Sequence, residues 1–303
     1  MKTKKMKVVA LALALVLMMG VLATGCSSGS KEENTLTIGG KKFTEQVILV
    51  NILEQLIENR TDIDVINQAD LGATDVLQQG MLDKDLDMYV EYTGTAYMIV
   101  LKEELDTTDP QIIYDRVKDY YQKEFDMTWM TPFGFNNTYC IAVKSEDATK
   151  YGLEKISDLK GHSEEMILGS DFDFLEREDG ADYFNKAYGL TWKDLRGMDP
   201  GLMYSAVKEN QIEAIVAYAT DGRIPRYELK VLEDDLAFFP PYFASAVINN
   251  DALEKFPEVS DLMEELAPHL TMEKMQELNS LVDIDGMPEG TVAKDFLTES
   301  GLI

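Results

Sequence analysis

An α/β fold of two lobes is expected from three observations. From Leu36 onward, short β-rich runs alternate with amphipathic helical stretches, an order that argues a mainly parallel sheet with helices on both faces. A second series of the same kind starts after Thr131-Pro132-Phe133-Gly134. Past Phe238-Phe239-Pro240-Pro241, one more strand signal precedes helical pattern that continues to the end. The chain is therefore expected to leave the first lobe and return to it. The expected limits are 36–131 with 243–303 for the first lobe and 132–242 for the second.

Each element follows from its residues. Leu36-Thr37-Ile38 is a strand signal that Gly39-Gly40 breaks. Thr44 stands where a helix N-cap belongs, with Glu45 in the first turn. Apolar residues from Val47 to Ile57 then share a helical face that ends near Arg60. Residues 63–66 read as a strand, 74–82 as a helix and 88–92 as a third strand. Pro110 opens a further helix that runs through Val117 to Tyr121. In the second lobe, 139–143, 166–168 and 214–218 are strand candidates, with helices near 183–188 and 203–210 between them. Residues 244–248 are the returning strand, and the pattern from Val259 on is almost entirely helical.

Charge excludes several classes of partner. The 303 residues carry 55 Asp and Glu against 28 Lys and Arg, a formal charge of −27. Such a surface repels phosphate backbones, so no nucleic-acid partner is expected, and it argues against a polybasic membrane-surface domain. Two cysteines and two histidines leave little for a disulfide framework or a zinc site.

The N-terminus has the pattern of a signal peptide, residues 1–25. Lys2, Lys4, Lys5 and Lys7 precede an apolar run over 8–23 that only Gly20 interrupts. Leu22-Ala23-Thr24-Gly25-Cys26 resembles a bacterial lipobox, with Ala23 where Leu is usual. Cys26 is accordingly the expected lipidation site, and the Ser/Gly-rich residues 26–35 the tether of a membrane anchor. An ordinary secreted protein with a chance cysteine is the alternative. Gly25-Cys26-Ser27-Ser28-Gly29 also matches the esterase pattern G-x-S-x-G, but signal peptide before and tether after supply neither the strand nor the helix it needs.

Templates for catalysis are missing: there is no HExxH, P-loop, GxGxxG or CxxC. No catalytic residue, metal or cofactor is expected. Cys140 lies inside an apolar strand candidate and reads as a buried, inert thiol. Asp171, Asp173, Glu176, Glu178 and Asp179 form an acidic cluster without EF-hand spacing. The cluster is the basis of the rival reading, an anchored hydrolase. What remains are tyrosines at expected strand ends beside small or polar residues. Tyr92 precedes Thr93-Gly94-Thr95, Tyr139 follows Asn136-Asn137-Thr138, Tyr218 precedes Ala219-Thr220-Asp221-Gly222, and Tyr242 follows the double proline. Each alone is compatible with ordinary packing.

These residues carry a resemblance. Gly39-Gly40-Lys41-Lys42-Phe43-Thr44-Glu45-Gln46, Glu91-Tyr92-Thr93-Gly94-Thr95 and Gly134-Phe135-Asn136-Asn137-Thr138-Tyr139 stand in one order with three later segments. Those are Phe174-Leu175-Glu176-Arg177-Glu178-Asp179-Gly180, Ala217-Tyr218-Ala219-Thr220-Asp221-Gly222 and Pro240-Pro241-Tyr242. Over 36–303 the chain resembles the substrate-binding lipoproteins of bacterial osmoprotectant ABC importers, which capture glycine betaine, choline, carnitine and related quaternary amines. The resemblance implies a two-lobed periplasmic-binding-protein architecture of type II that closes over its ligand. It implies an aromatic cage of Tyr92, Tyr139, Tyr218 and Tyr242 for the ammonium head, with Asn137 offering a backbone carbonyl. It also implies Lys41, Thr95 and Arg177 as partners of a ligand carboxylate, although a solvated Lys41 and an Arg177 paired with neighbouring acids are the plain alternatives. Some relatives carry an acid in place of Thr95 and lean toward choline, so Thr95 favours zwitterions. The implied partners are an ABC permease and the membrane through the lipid anchor, with the protein itself a monomer outside the cytoplasm. A binding protein of the same fold for another small amine or an amino acid is the nearer alternative.

Overall fold

The computed structural model describes residues 34–303 except 105 and 177–179. The leader, Cys26 and nearly all of the tether lie outside the described residues, as does Arg177. Ten strands of the described residues form two five-stranded sheets, one in each lobe. The first sheet contains β1 (Thr35–Lys41), β2 (Asp64–Gly72), β3 (Met88–Tyr92), β4 (Met127–Trp129) and, from the end of the chain, β10 (Ala244–Asn249), in the order β2-β1-β3-β10-β4. The second contains β5 (Tyr139–Lys144), β6 (Ile167–Ser170), β7 (Asp194–Gly197), β8 (Ala214–Tyr218) and β9 (Leu229–Val231), in the order β7-β6-β8-β5-β9. β1 starts at Thr35, one residue inside the expected tether.

The two sheets repeat one plan. Four strands run one way, and the strand in fourth position, β10 or β5, runs against its two neighbours. The sheets are thus mainly parallel but mixed. The reason is connectivity: β5 is the first strand after the chain enters the second lobe, and β10 the first after it returns. Side chains alternate across each sheet with the period of two that strands impose. In β3, Met88, Val90 and Tyr92 join the apolar core on one face while Tyr89 joins the core on the other. In β8, Ala214 and Val216 face one core, Ile215 and Ala217 the opposite one.

The segments that cross between lobes hold each other. Asn136 pairs with Phe243 in an antiparallel bridge, Asn137 N donates to Tyr242 O at 3.1 Å, and Tyr242 N donates to Asn136 Oδ1 at 2.6 Å. Thr138 Oγ1 adds a 2.8 Å bond to Pro240 O. A second contact joins the lobes through the helix Met272–Asp283. Its Gln276 and Asn279 amides donate to the carbonyls of Ala219 (2.6 Å) and Thr220 (2.9 Å). Gly222 is required there, since a Cβ would lie 2.4 Å from Ser280 N and 2.6 Å from Gln276 O. The helix Thr44–Arg60 begins at its expected cap residue, so the cap lies one residue earlier: Phe43 occupies the N-cap position, and Thr44 Oγ1 instead donates to Asp283 Oδ1 at 2.5 Å.

Candidate ligand-binding site

The plan of the sheets places the tyrosines. Tyr92 is the last residue of β3 and pairs with Ala244 of β10, two residues beyond Tyr242. Tyr218 is the last residue of β8 and pairs with Tyr139, the first residue of β5. One tyrosine thus comes from the end of the middle strand of each sheet and one from the entry to each antiparallel strand. These ends lie beside the crossing segments, so both pairs face the space between the lobes. Gly94 admits the Tyr242 ring, because a Cβ would meet Pro241 O at 2.7 Å and ring carbons at 3.0 Å.

A cavity of about 240 Å³ between the lobes is lined by Tyr92, Tyr139, Tyr218, Tyr242, Lys41, Thr95, Asn137 and Phe43. Every described residue of the expected ligand-binding site is there; Arg177 lies outside the described residues. Among the described residues, Phe43 is the one lining residue that sequence reasoning missed as a site residue; it stacks on Tyr92 with ring centroids 6.2 Å apart. Tyr139 and Tyr218 stack face to face at 4.8 Å, with hydroxyls 3.2 Å apart. The cavity abuts a second, of about 410 Å³, that shares Phe43, Asn137 and Tyr218 with it.

Lys41 is neither solvated nor unpaired. The register of β1 shifts between Gly39 and Lys41, and the lysine, 7% exposed, forms an ion pair with Glu91 of β3. Its Nζ stands 5.0 Å from the Tyr92 ring centroid. Glu91 is fully buried, and the oxygen that meets Lys41 also accepts from Tyr92 N at 2.7 Å. Neither Glu91 nor Glu45 was singled out from the sequence. Glu45, 3% exposed, accepts from Tyr92 Oη at 2.6 Å and from Asn137 Nδ2 at 3.0 Å on Oε1, and from Asn279 Nδ2 at 3.2 Å on Oε2. Burial pushes its carboxyl above the ordinary range, against hydrogen bonds from Thr220, Tyr92, Asn279 and Asn137 that pull it down. The Tyr92 hydroxyl is held well above its usual range by burial and by the Glu45 charge. It stays a neutral donor.

Elsewhere the chemistry is plain. Burial pushes the Cys140 thiol up to about 12, which keeps it protonated and unreactive. Asp171 Oδ1 accepts from Phe174 N at 2.7 Å and so serves the start of a short helix. Among the described residues no cluster of His, Cys, Asp or Glu could hold a metal ion.

Fold and site together define a two-lobed solute-binding protein with its cavity at the lobe junction. The model of the substrate-binding domain of ABC-type glycine betaine transport systems matches residues 34–299, and the chain belongs to that family. Its members are solute-binding proteins of ABC transporters, which work outside the cytoplasm. The carnitine transport binding protein OpuCC of Listeria monocytogenes is 38% identical over 301 residues, which cover 98% of this chain and 97% of that one. The ergothioneine transport permease/ergothioneine binding protein EgtU of Helicobacter pylori is 38% identical over 272 residues, 89% of this chain and 48% of that one. A crystal structure of a glycine betaine/carnitine/choline ABC transporter component superposes with a TM-score of 0.85 at 34% identity, covering 88% of this chain and 99% of that one.

Proposed function

We propose that the protein captures small quaternary-ammonium solutes, with glycine betaine and carnitine foremost, in a cage of Tyr92, Tyr139, Tyr218 and Tyr242, and delivers them to an ABC permease. The observation that carries this reading is the meeting of four tyrosines from two lobes around one cavity of about 240 Å³. A trimethylammonium head has no N–H to donate and spreads its charge over methyl groups. Aromatic faces suit it, each contributing about 0.5–2 kcal/mol when desolvated. Thr95 offers a hydroxyl, Lys41 an ammonium and Arg177 a guanidinium to a ligand carboxylate. Asn137 supplies a carbonyl toward the methyl groups. Closure of the lobes completes the cage, so binding and the closed state stabilise each other.

The same reading takes residues 1–25 as a cleaved leader, Cys26 as the lipidated residue and 26–35 as the tether of a monomeric, membrane-anchored receptor. The lobes would span 36–131 with 243–303, and 132–242. No helix of the described residues is long and apolar enough to cross a membrane.

Calorimetric titration with glycine betaine, carnitine, choline and proline betaine tests the reading, with the carbon isostere of glycine betaine as the neutral control. Binding of the betaines without the isostere is expected; no binding of any quaternary amine would overturn it. A larger betaine is the second reading, favoured by the adjoining cavity of about 410 Å³ and by the relative named for ergothioneine. Ergothioneine in the same titration decides between them.

A further inference from the structure

The lysine expected to meet a ligand carboxylate already has an anion beside it. Lys41, at the end of β1, and Glu91, one residue before the end of β3, form an ion pair across adjacent strands. Both side chains are buried, at 9% and 0% exposure. Glu91 Oε1 takes the Lys41 ammonium and the Tyr92 N–H, while Oε2 is buried without a hydrogen bond among the described residues. An acid so poorly solvated holds its one cation firmly. The ammonium in turn lines the cavity and stands 5.0 Å from the centroid of the Tyr92 ring. A cation bound at that ring therefore faces a nearby lysine whose charge is balanced from behind.

We propose that Glu91 is a specificity-determining residue of the site: its pairing with Lys41 cancels the lysine's charge, so the cavity accepts cations without a carboxylate, such as choline, as well as zwitterions. The proposal rests on the cage reading given above. An unbalanced Lys41 would repel any ammonium at Tyr92 and attract only a carboxylate, so it would penalise choline more than glycine betaine. An unbalanced Glu91 would do the reverse. Glu91 acts through Lys41 and the local field; no contact with the ligand is required. The other anion near the ring, Glu45, sits at the hydroxyl end of Tyr92 and is common to both cases.

The test is the ratio of choline to glycine betaine affinity, measured by titration of the purified full chain and three variants. The wild type is expected to bind choline within about tenfold of glycine betaine. Glu91→Gln should lower the choline-to-betaine ratio by about tenfold or more, and Lys41→Gln should raise it by a similar factor. The double variant Lys41→Gln/Glu91→Gln should return the ratio to near the wild-type value. A purely structural pair would weaken both ligands together and leave the ratio unmoved, which would overturn the proposal while leaving the cage intact. Failure of the wild type to bind any quaternary amine would overturn both. If Glu91→Gln does not fold, comparison of the double variant with Lys41→Gln alone isolates Glu91: a lower choline-to-betaine ratio in the double variant is expected, and equal ratios would overturn the proposal.

Discussion

The Tyr92 hydroxyl donates a 2.6 Å hydrogen bond to Oε1 of Glu45, and Gln46 Nε2 donates back to the same hydroxyl at 3.0 Å. The ring is therefore fixed by its far end before any ligand arrives, and it shares with Asn137 and Asn279 the task of keeping an acid of 3% exposure hydrogen-bonded. Tyr218 is 43% exposed, and its hydroxyl donates to that of Tyr139 at 3.2 Å. The four rings of the proposed cage are not equivalent.

Removal of one hydroxyl exposes that inequality. Tyr92→Phe takes a buried donor from Glu45 and should lower the unfolding free energy by about 1–3 kcal/mol. Tyr218→Phe should stay within about 0.5 kcal/mol of wild type, as is usual for exposed positions. Urea unfolding of the two variants checks the contrast.

Ring faces, rather than hydroxyls, should hold the ligand. At Tyr139, Tyr218 and Tyr242, replacement by Ala should weaken binding of a betaine by about 0.5–2 kcal/mol per ring, and replacement by Phe by less. Calorimetry decides, and equal losses for Phe and Ala would assign the binding to the hydroxyls.

Glu45 should leave a mark on stability as pH changes. Burial raises its folded-state pKa above the ordinary value, so between the two values the folded protein holds the proton more tightly than the unfolded chain. The contribution of this group to stability is then largest at low pH and falls as pH rises through the raised pKa. Relative to Glu45→Gln, the wild type should therefore gain in Tm on going from about pH 7 to about pH 5. A constant difference between the two proteins would mean that the carboxyl stays ionised throughout.

Gly222 tests the contact between the second lobe and the helix Met272–Asp283. A methyl group there would lie 2.4 Å from Ser280 N, so Gly222→Ala must push the lobes apart or distort the turn. Ligand affinity should fall by about tenfold or more, as the closed population shrinks, and small-angle scattering in saturating ligand should show a larger particle than wild type. Unchanged affinity and size would show that this contact plays no part in closure.

Much of the fold was legible because its inner strands are apolar in sequence. The runs that became β3, β5, β8 and β10 were placed within a residue or two of their observed limits. The strands missed were β4, β7 and β9, and all three lie at sheet edges. β7, Asp194-Leu195-Arg196-Gly197, is mostly exposed, and its extended form is imposed by the ladder of β6 rather than by its own side chains. Lys41, Thr95, Asn137 and the tyrosines were reached through motifs, and the structure sets them around one cavity. The acids behind them were not reached. Glu91 did carry a signal, a charge inside the run Met88-Tyr89-Val90-Glu91-Tyr92, which calls for a buried partner. The partner lies 50 residues earlier in the chain, and only the adjacency of β1 and β3 brings the two together. Glu45 looked like an ordinary first-turn acid, because its donors come from four separate parts of the sequence.

Each sheet carries the same two-ring shelf, built at the same corner of the same plan. A shelf can rest a solute but not imprison it; only two shelves brought face to face make a box. The captured molecule would then act as mortar, and the angle between the halves would change with occupancy. A transporter waiting at the membrane need not inspect the cargo at all. It could read whether the receptor is loaded from its outline, so solutes that differ in their tails but fill the box equally would be announced in the same way.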